Sequence, residues 1–148
     1  MTGEHCDDGN LVSGDGCSPT CVIENGWNCT GITSVCTPIC GDSVKLGQEE
    51  CDDGDAIDGD GCSSTCQIEA GWSCSGTPSV CSTICGDGYI RGSEMCDPGP
   101  IAIDGCDSGC LSVTPGFVCQ GEPSNCTGIC GDGIIVGDET CDDKNNIR

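Results

Sequence analysis

Apolar residues are scattered along this chain in runs that are too short for a long helix. Residues 62–69 fit one helical turn, and residues 71–81, which begin with Gly-Trp and contain two cysteines, predict a small hairpin. Clusters of Gly and Asp between such pieces are typical of turns. Short strands are expected at three apolar stretches, namely 44–46, 89–91 and 134–136. The pattern therefore predicts short hairpins and single helical turns, with little regular secondary structure.

The cysteines recur with a fixed period, which defines a tandem repeat. Seven of them fall into two series with a 45-residue spacing, Cys6, Cys51, Cys96 and Cys141, and Cys40, Cys85 and Cys130. We label the six positions of a repeat a to f, which in the second repeat are Cys40, Cys51, Cys62, Cys66, Cys74 and Cys81. The repeats span 1–39, which lacks position a, then 40–84, 85–129 and 130–148, which stops after position b. Because each unit of such an array contacts only its neighbours, we expect an elongated rod.

Composition sets the fold class. The chain has 19 cysteines among 148 residues but only four aromatic residues, so it cannot build one large apolar core. Small disulfide-rich tandem repeats are therefore expected, in a secreted or cell-surface protein. A zinc protein would show C-x2-C pairs with histidine partners, whereas the shortest cysteine spacing here is four and His5 is the single histidine. The recurring aromatic residues, Trp27, Trp72 and Phe117, are expected as small satellite cores, with exposed recognition residues as the alternative.

The charge balance excludes several partners. The net charge is −21, from 25 acids and four bases, which argues against nucleic acid and anionic membranes as partners. There is no apolar run of 18 residues, so no membrane insertion is expected in this segment. The acids are either a solvated surface or ligands of divalent cations.

Acids recur at fixed places between positions a and b. Asp42 follows position a, Glu49 precedes position b by two residues, and Asp52 follows position b, with copies in the later repeats. Calcium takes six to eight oxygen ligands from carboxylates, carbonyls and water. Each a-to-b loop is therefore a candidate Ca2+ site.

The a-to-b loop also resembles the calcium-binding start of disintegrin domains in ADAM-type proteins. The shared features are an eleven-residue cysteine spacing, a glutamate two residues before the second cysteine and an aspartate directly after it. One further family glutamate is replaced here by Leu46, Arg91 or Val136, which weakens the implied site. The resemblance implies one ligand set in each of three loops, in which Asp and Glu supply carboxylate oxygens and the other residues supply backbone carbonyl oxygens. The sets are Ile39, Asp42, Val44, Glu49 and Asp52 in the second repeat, Ile84, Asp87, Tyr89, Glu94 and Asp97 in the third, and Ile129, Asp132, Ile134, Glu139 and Asp142 in the fourth.

The whole repeat more closely resembles the Myxococcus-type cysteine-rich repeat. The resemblance covers nearly all of the chain and rests on Cys-Gly-Asp, Cys-Asp-Asp-Gly, Gly-Asp-Gly-Cys-Ser and Gly-Trp-x-Cys in fixed order. Such repeats occur in surface proteins of myxobacteria, algae and protists, and related ones in pappalysin-like proteins. The resemblance implies a module of a surface filament such as a mastigoneme.

Six cysteines allow 15 pairings, and the sequence alone does not choose among them. The disintegrin resemblance implies the pairs a–d and b–c, and the predicted hairpin adds e–f. These pairs are Cys6–Cys17, Cys29–Cys36, Cys40–Cys66, Cys51–Cys62, Cys74–Cys81, Cys85–Cys110, Cys96–Cys106 and Cys119–Cys126. Cys21, Cys130 and Cys141 are left over, and we expect their partners outside this segment of a longer protein.

Two further sequence features have alternative interpretations. The acidic loop between positions b and c fits no EF-hand and is interpreted as a turn capped by its own Asp side chains. Asn28 and Asn125 begin Asn-Cys-Thr sequons and are candidates for N-glycans in a eukaryotic host.

The favoured function is structural. Near-identical repeats predict a rigid spacer or a building block of an extracellular filament or coat, whose partners are neighbouring repeats, copies of the chain or other surface proteins. The alternative is an adhesion or receptor module that binds a protein or glycan. An enzyme is not expected, because neither H-E-x-x-H nor G-x-S-x-G occurs and His5 has no nucleophile beside it.

Overall fold

The computed structural model describes residues 4–101, 104–140, 142 and 144. Its regular structure consists of three two-stranded sheets, one in each of the first three repeats. The strands are β1 (Trp27–Thr30), β2 (Val35–Pro38), β3 (Trp72–Ser75), β4 (Val80–Thr83), β5 (Phe117–Gln120) and β6 (Asn125–Gly128). The predicted class of small disulfide-rich repeats with short hairpins is thereby confirmed.

Each hairpin is short enough to need a covalent closure, because isolated two-stranded hairpins are marginal in water. In β1–β2 the cysteines at positions e and f, Cys29 and Cys36, are directly opposite each other and are bridged. Their Cα atoms are 4.0 Å apart, a separation typical of close cross-strand pairs. In β5–β6 the same register pairs Cys119 with Cys126.

Two expectations about local structure were wrong. No helical turn occurs at residues 62–69, which form a turn closed by an isolated bridge between Cys62 and Ile68. The stretches 44–46, 89–91 and 134–136 are not strands. The reason is that their amides donate to carboxylates of the same loop. The amide of Val44 donates to Asp42 at 2.9 Å, and that of Leu46 donates to Glu49 at 2.7 Å.

The chain divides into two compact units. The first comprises Met1–Glu69 with Cys74–Cys81, and the second comprises Ala70–Ser73 with Ser82–Arg148. The first unit is centred on sulfur, since Cys51, Cys62 and Cys66 are almost fully buried and three half-buried cysteines pack against them. In the second unit Cys96 and Cys110 are buried completely. Among the described residues every buried apolar side chain is a cysteine, so disulfides replace the aliphatic core of an ordinary domain.

A buried serine attaches each hairpin to the residue after position b. In the first unit the amide of Ser79 donates to the Asp52 carbonyl at 2.6 Å, and the Ser79 Oγ accepts the Asp52 amide at 3.0 Å. Ser124 makes the same two bonds with Asp97 in the second unit, at 2.6 and 2.9 Å. This reciprocal pair fixes the hairpin against the disulfide-bonded loops.

The aromatic residue of each hairpin packs on a glycine of the following a-to-b loop. A Cβ added to Gly47 would lie 3.4 Å from the Trp27 ring, and one added to Gly92 would lie 3.2 Å from the Trp72 ring. Gly137 has the same relation to Phe117, at 3.4 Å. These glycines also have φ between +52° and +59°, a backbone region that side chains disfavour. The contact joins one repeat to the next.

In the described part of the chain, no helix is long and apolar enough to span a membrane.

Candidate site: the acidic a-to-b loops

The Asp after position b is the centre of the a-to-b loop. In the second repeat the carboxylate of Asp52 is completely buried and accepts four backbone N–H bonds. The donors are Gly41 at 2.9 Å, Asp42 at 3.2 Å, Ser43 at 2.8 Å and Gly54 at 3.0 Å. Gly41 and Ser43 have φ of +86° and +71°, so three successive amides point to one side of the backbone. Such a concave row of amides is an anion-binding nest, and here the anion belongs to the chain.

The same nest recurs twice in the second unit. Asp97 is also completely buried and accepts four amide bonds, and Asp142 accepts four in the next repeat. The donors to Asp97 are Gly86 (2.7 Å), Asp87 (3.3 Å), Gly88 (2.8 Å) and Gly99 (2.7 Å), and those to Asp142 are Gly131 (2.7 Å), Asp132 (3.1 Å), Gly133 (2.9 Å) and Lys144 (2.9 Å).

The amides lower the pKa of two of these carboxylates. Burial raises the pKa of Asp97, but the bonds from Gly99, Gly88, Gly86 and Asp87 outweigh it and hold the pKa below its usual 3.8. The pKa of Asp142 is lowered chiefly by the Lys144 amide, against some opposition from burial. A lowered pKa in the folded state gives stability that is complete above the pKa of an unfolded Asp, about 3.9. That stability is lost as the pH falls from there through the folded pKa.

The glutamate before position b keeps one free oxygen. Its Oε2 accepts an amide bond from the residue three positions earlier, Leu46 at 2.7 Å for Glu49 and Arg91 at 2.9 Å for Glu94. The other oxygen, Oε1, is buried and has no hydrogen-bond partner among the described residues in Glu49, Glu94 or Glu139. Glu94 as a whole is only 7% exposed. A buried carboxylate oxygen without a donor is unfavourable, so this atom is where a cation or a donor group would be gained most easily.

The predicted calcium ligands fit a cation only in part. The structure brings carboxylate oxygens of Glu49 and Asp52 within 4.8 Å, together with the Cys66 sulfur, which is in a disulfide. A calcium ion at Asp52 would have to displace hydrogen bonds from backbone amides, because the two carboxylate oxygens of Asp52 already accept four of them. Asp42 also uses one oxygen, for the Val44 amide. The free Oε1 of the glutamate suits a hard cation, so calcium ligation stays a prediction that rests on this atom.

The described residues form eight disulfides, which are the same pairs that the disintegrin resemblance and the hairpin interpretation imply. The two largest loops, Cys40–Cys66 and Cys85–Cys110, connect positions a and d. Within the described residues Cys21 and Cys130 are free, and Cys141 lies outside them. The other six bridges are Cys6–Cys17, Cys29–Cys36, Cys51–Cys62, Cys74–Cys81, Cys96–Cys106 and Cys119–Cys126.

The b-to-c loops hold their acids with local hydrogen bonds. In the second repeat Asp55 accepts the Ile57 amide at 2.8 Å, and Asp58 accepts the Ser64 amide at 2.7 Å. In the first repeat the Asn10 side-chain amide donates to Asp8 at 2.9 Å and to Asp15 at 3.0 Å. These bonds are of the kind that a self-capped turn requires.

The two sequons are accessible. Asn28 on β1 and Asn125 on β6 are both exposed, and their modification stays a prediction.

Fold, disulfides and repeat together define a cysteine-rich tandem-repeat protein of the kind that is stable in an oxidising, extracellular environment. Three stretches of the chain, residues 20–67, 69–111 and 110–148, match the family described as Domain of unknown function (DUF4215). The chain belongs to this family. No curated protein matches the chain. The matched stretches begin near position d of one repeat, and the repeat borders at 1–39, 40–84, 85–129 and 130–148 stay a prediction.

Proposed function

We propose that this chain is a structural segment of a secreted or cell-surface protein, acting as a rigid spacer or as a building block of an extracellular filament or coat. The observation that carries this proposal is the contact between each hairpin aromatic and the next loop. Trp27 on Gly47, Trp72 on Gly92 and Phe117 on Gly137 repeat one junction three times. Within each unit, this contact restricts the motion of a hairpin against the loop that follows it, which is what a spacer needs.

The neighbouring glycine strengthens each junction. A Cβ on Gly26 would lie 2.7 Å from Leu46 of the next repeat, and one on Gly116 would lie 3.0 Å from Val136. At the middle junction Arg91 occupies the position of Leu46 and donates to the Ala70 carbonyl at 3.2 Å. Leu46, Arg91 and Val136 replace the further glutamate of the disintegrin family, and each of them contacts the preceding repeat. This contact supports a connecting role for the position.

An enzymatic role has no support in the acidic loops. A catalytic carboxylate needs access to substrate and a pKa suited to proton transfer. Asp52 and Asp97 are completely buried. Amide bonds lower the pKa of Asp97. These acids stabilise the loop, and we propose that the segment is not an enzyme.

The resemblance to Myxococcus-type repeats supports the same proposal, since hosts of such repeats include surface filaments. The alternative is an adhesion or receptor module that binds a protein or glycan. It is favoured by exposed aliphatic residues in the b-to-c loops, where Leu11 is 76% exposed, Ile57 63% and Ile101 73%. The third repeat also differs in this loop, with Pro98 and Pro100.

Electron microscopy of the oxidised protein separates these two functions. We expect regular filaments or a laterally packed coat in which the repeat is a building block. Dispersed particles that do not associate, together with saturable binding to one protein or glycan, would replace the structural proposal with the adhesion alternative.

Calcium is proposed as an accessory ligand of the same loops. The free Oε1 of Glu49, Glu94 and Glu139 would supply the charged ligand, with carbonyl oxygens and water completing the shell. We expect heat on titration of the oxidised chain with calcium and a Kd of about 10⁻⁴ to 10⁻³ M, the range of extracellular modules. Replacing the three glutamates with Gln should remove the heat, whereas Glu4→Gln should not, because Glu4 is the exposed copy of this glutamate in the first repeat, which lacks position a. No heat at millimolar calcium would refute the proposal.

A further inference from the structure

A cleft opens at the junction between the first hairpin and the second repeat. It has a volume of about 920 Å3 and lies within the first unit. Its lining includes Trp27 and Thr37 from the first hairpin and Gly47, Glu49 and Glu50 from the loop that follows. A cleft of this size is in the range of ligand-binding pockets and far larger than one metal ion requires.

The corresponding junction in the second unit carries a matching cleft of about 510 Å3. Its lining includes Phe117, Thr127, Gly137 and Glu139, each 90 residues after its counterpart in the first cleft. The same cleft therefore occurs at two equivalent junctions of the chain, one in each unit.

Both clefts have the same chemical character. Each combines one aromatic side chain with three acids and is lined by no lysine or arginine. The acids are Asp15, Glu49 and Glu50 in the first cleft and Asp104, Asp138 and Glu139 in the second. Among the described residues, a buried carboxylate oxygen without a hydrogen-bond partner belongs to Asp15 and to Glu49 in the first cleft and to Glu139 in the second. An aromatic face beside carboxylates attracts an organic cation through cation–π and charge-assisted contacts.

Arg91 of this chain shows the same combination of contacts outside the clefts, with an aromatic ring and a carboxylate beside its guanidinium group. The Arg91 guanidinium carbon lies 4.9 Å from the centre of the Tyr89 ring, and an Arg91 nitrogen lies 3.1 Å from Glu122. The whole chain has only four bases against 25 acids, so cations for the clefts must come from another molecule. Arginine fits better than lysine, because its planar group can stack on a ring and bond a carboxylate with two N–H groups.

We propose that the junction clefts are docking sites for arginine side chains of a basic partner protein. The charge complementarity and the aromatic wall select this partner, since neither a glycan nor an anionic surface offers a cation. The site is independent of the spacer role, which requires only the contacts within each junction. It would allow a basic partner to bind the chain at two junctions, those of Trp27 and Phe117.

The test uses the whole oxidised chain in chelator at 0.15 M salt, where long-range attraction is screened. The probes are the peptide acetyl-Gly-Arg-Gly-amide and its neutral counterpart with citrulline, which has nearly the same shape without the charge. Two-dimensional NMR follows the Trp27 indole N–H and the amides of Gly47 and Gly137. We expect saturable shifts at these three groups with the arginine peptide and none with the citrulline peptide.

Variants make the test specific. Glu139→Gln and Phe117→Leu should each weaken binding at Gly137 about tenfold, by removing the charge or the aromatic face. Binding at Gly47 should stay unchanged in both, and Glu4→Gln should change neither. Equal binding of the citrulline peptide, non-saturable shifts across all exposed acids, or no weakening in both second-cleft variants would each overturn the proposal.

Discussion

Replacing Asp97 with Asn is expected to destabilise the third repeat strongly. The variant keeps the shape of the side chain but turns one carboxylate oxygen into an N–H2 group, which faces amides that are themselves donors. Asp97 accepts bonds from Gly86, Asp87, Gly88 and Gly99, so about two of the four lose their acceptor. Because each buried donor left without a partner costs about 1–3 kcal/mol, we expect a loss of about 4 kcal/mol. For a unit of this size that corresponds to a melting temperature lower by about 20 °C.

Thermal unfolding under non-reducing conditions measures this effect. The matched control is Asp104→Asn, an exposed acid of the same repeat, which should change the stability by less than about 0.5 kcal/mol. Wild-type protein should also lose stability below about pH 4, because the amides hold the Asp97 pKa under its usual value. In the Asn variant this part of the acid sensitivity should be absent. Equal stabilities of the two variants would show that the buried carboxylate does not hold the loop.

Removing the Cys51–Cys62 bridge is the second change with a large expected effect. Both cysteines are almost fully buried in the sulfur core of the first unit. Replacing both with Ala removes a bridge between residues separated by 11 positions. Loop closure then accounts for about 3 kcal/mol, and lost packing adds roughly 1–2 kcal/mol.

The Cys74–Cys81 bridge of the second hairpin provides the comparison. It spans seven positions and its cysteines are only half-buried, so the corresponding double Ala variant should lose about 2 kcal/mol. Both variants remove two partners at once and leave no new thiol. Denaturant unfolding of the two oxidised variants gives the difference. A hairpin variant as unstable as the core variant would place the stability in the hairpins and not in the sulfur core.

The spacing of the cysteines predicted most of the fold. The 45-residue period and the Gly-Trp-x-Cys segments predicted the hairpins, because cross-strand cysteines need a fixed register. The reciprocal serine contact could also have been found, since Ser34, Ser79 and Ser124 recur with the same period. The prediction of a helical turn at 62–69 was wrong because an isolated β-bridge between Cys62 and Ile68 closes that segment.

The role of the recurring acids could not be predicted from their spacing. A carboxylate at position 52 can bind a cation or accept backbone amides, and both roles place an acid at the same point in the sequence. The direction of the amides decides between them. That direction follows from positive φ at Gly41 and at Ser43, and although glycine occupies the second of these positions in the later repeats, as Gly88 and Gly133, a glycine by itself does not indicate which way the amides point. The strands expected at 44–46 failed for the same reason, because those amides donate to the carboxylates of Asp42 and Glu49.

The a-to-b loops of the second and third repeats are closed by their disulfides and by their own carboxylates, Asp52 and Asp97, and we infer that their fold needs no bound ion. Amide hydrogen exchange of the oxidised chain in excess chelator tests this inference most directly, at the N–H groups of Gly41 and Gly86. We predict strong protection of both amides without calcium, little change when calcium is added, and loss of protection after reduction of the disulfides. Free exchange of these amides in the oxidised, chelated protein, with protection restored by calcium, would contradict the claim.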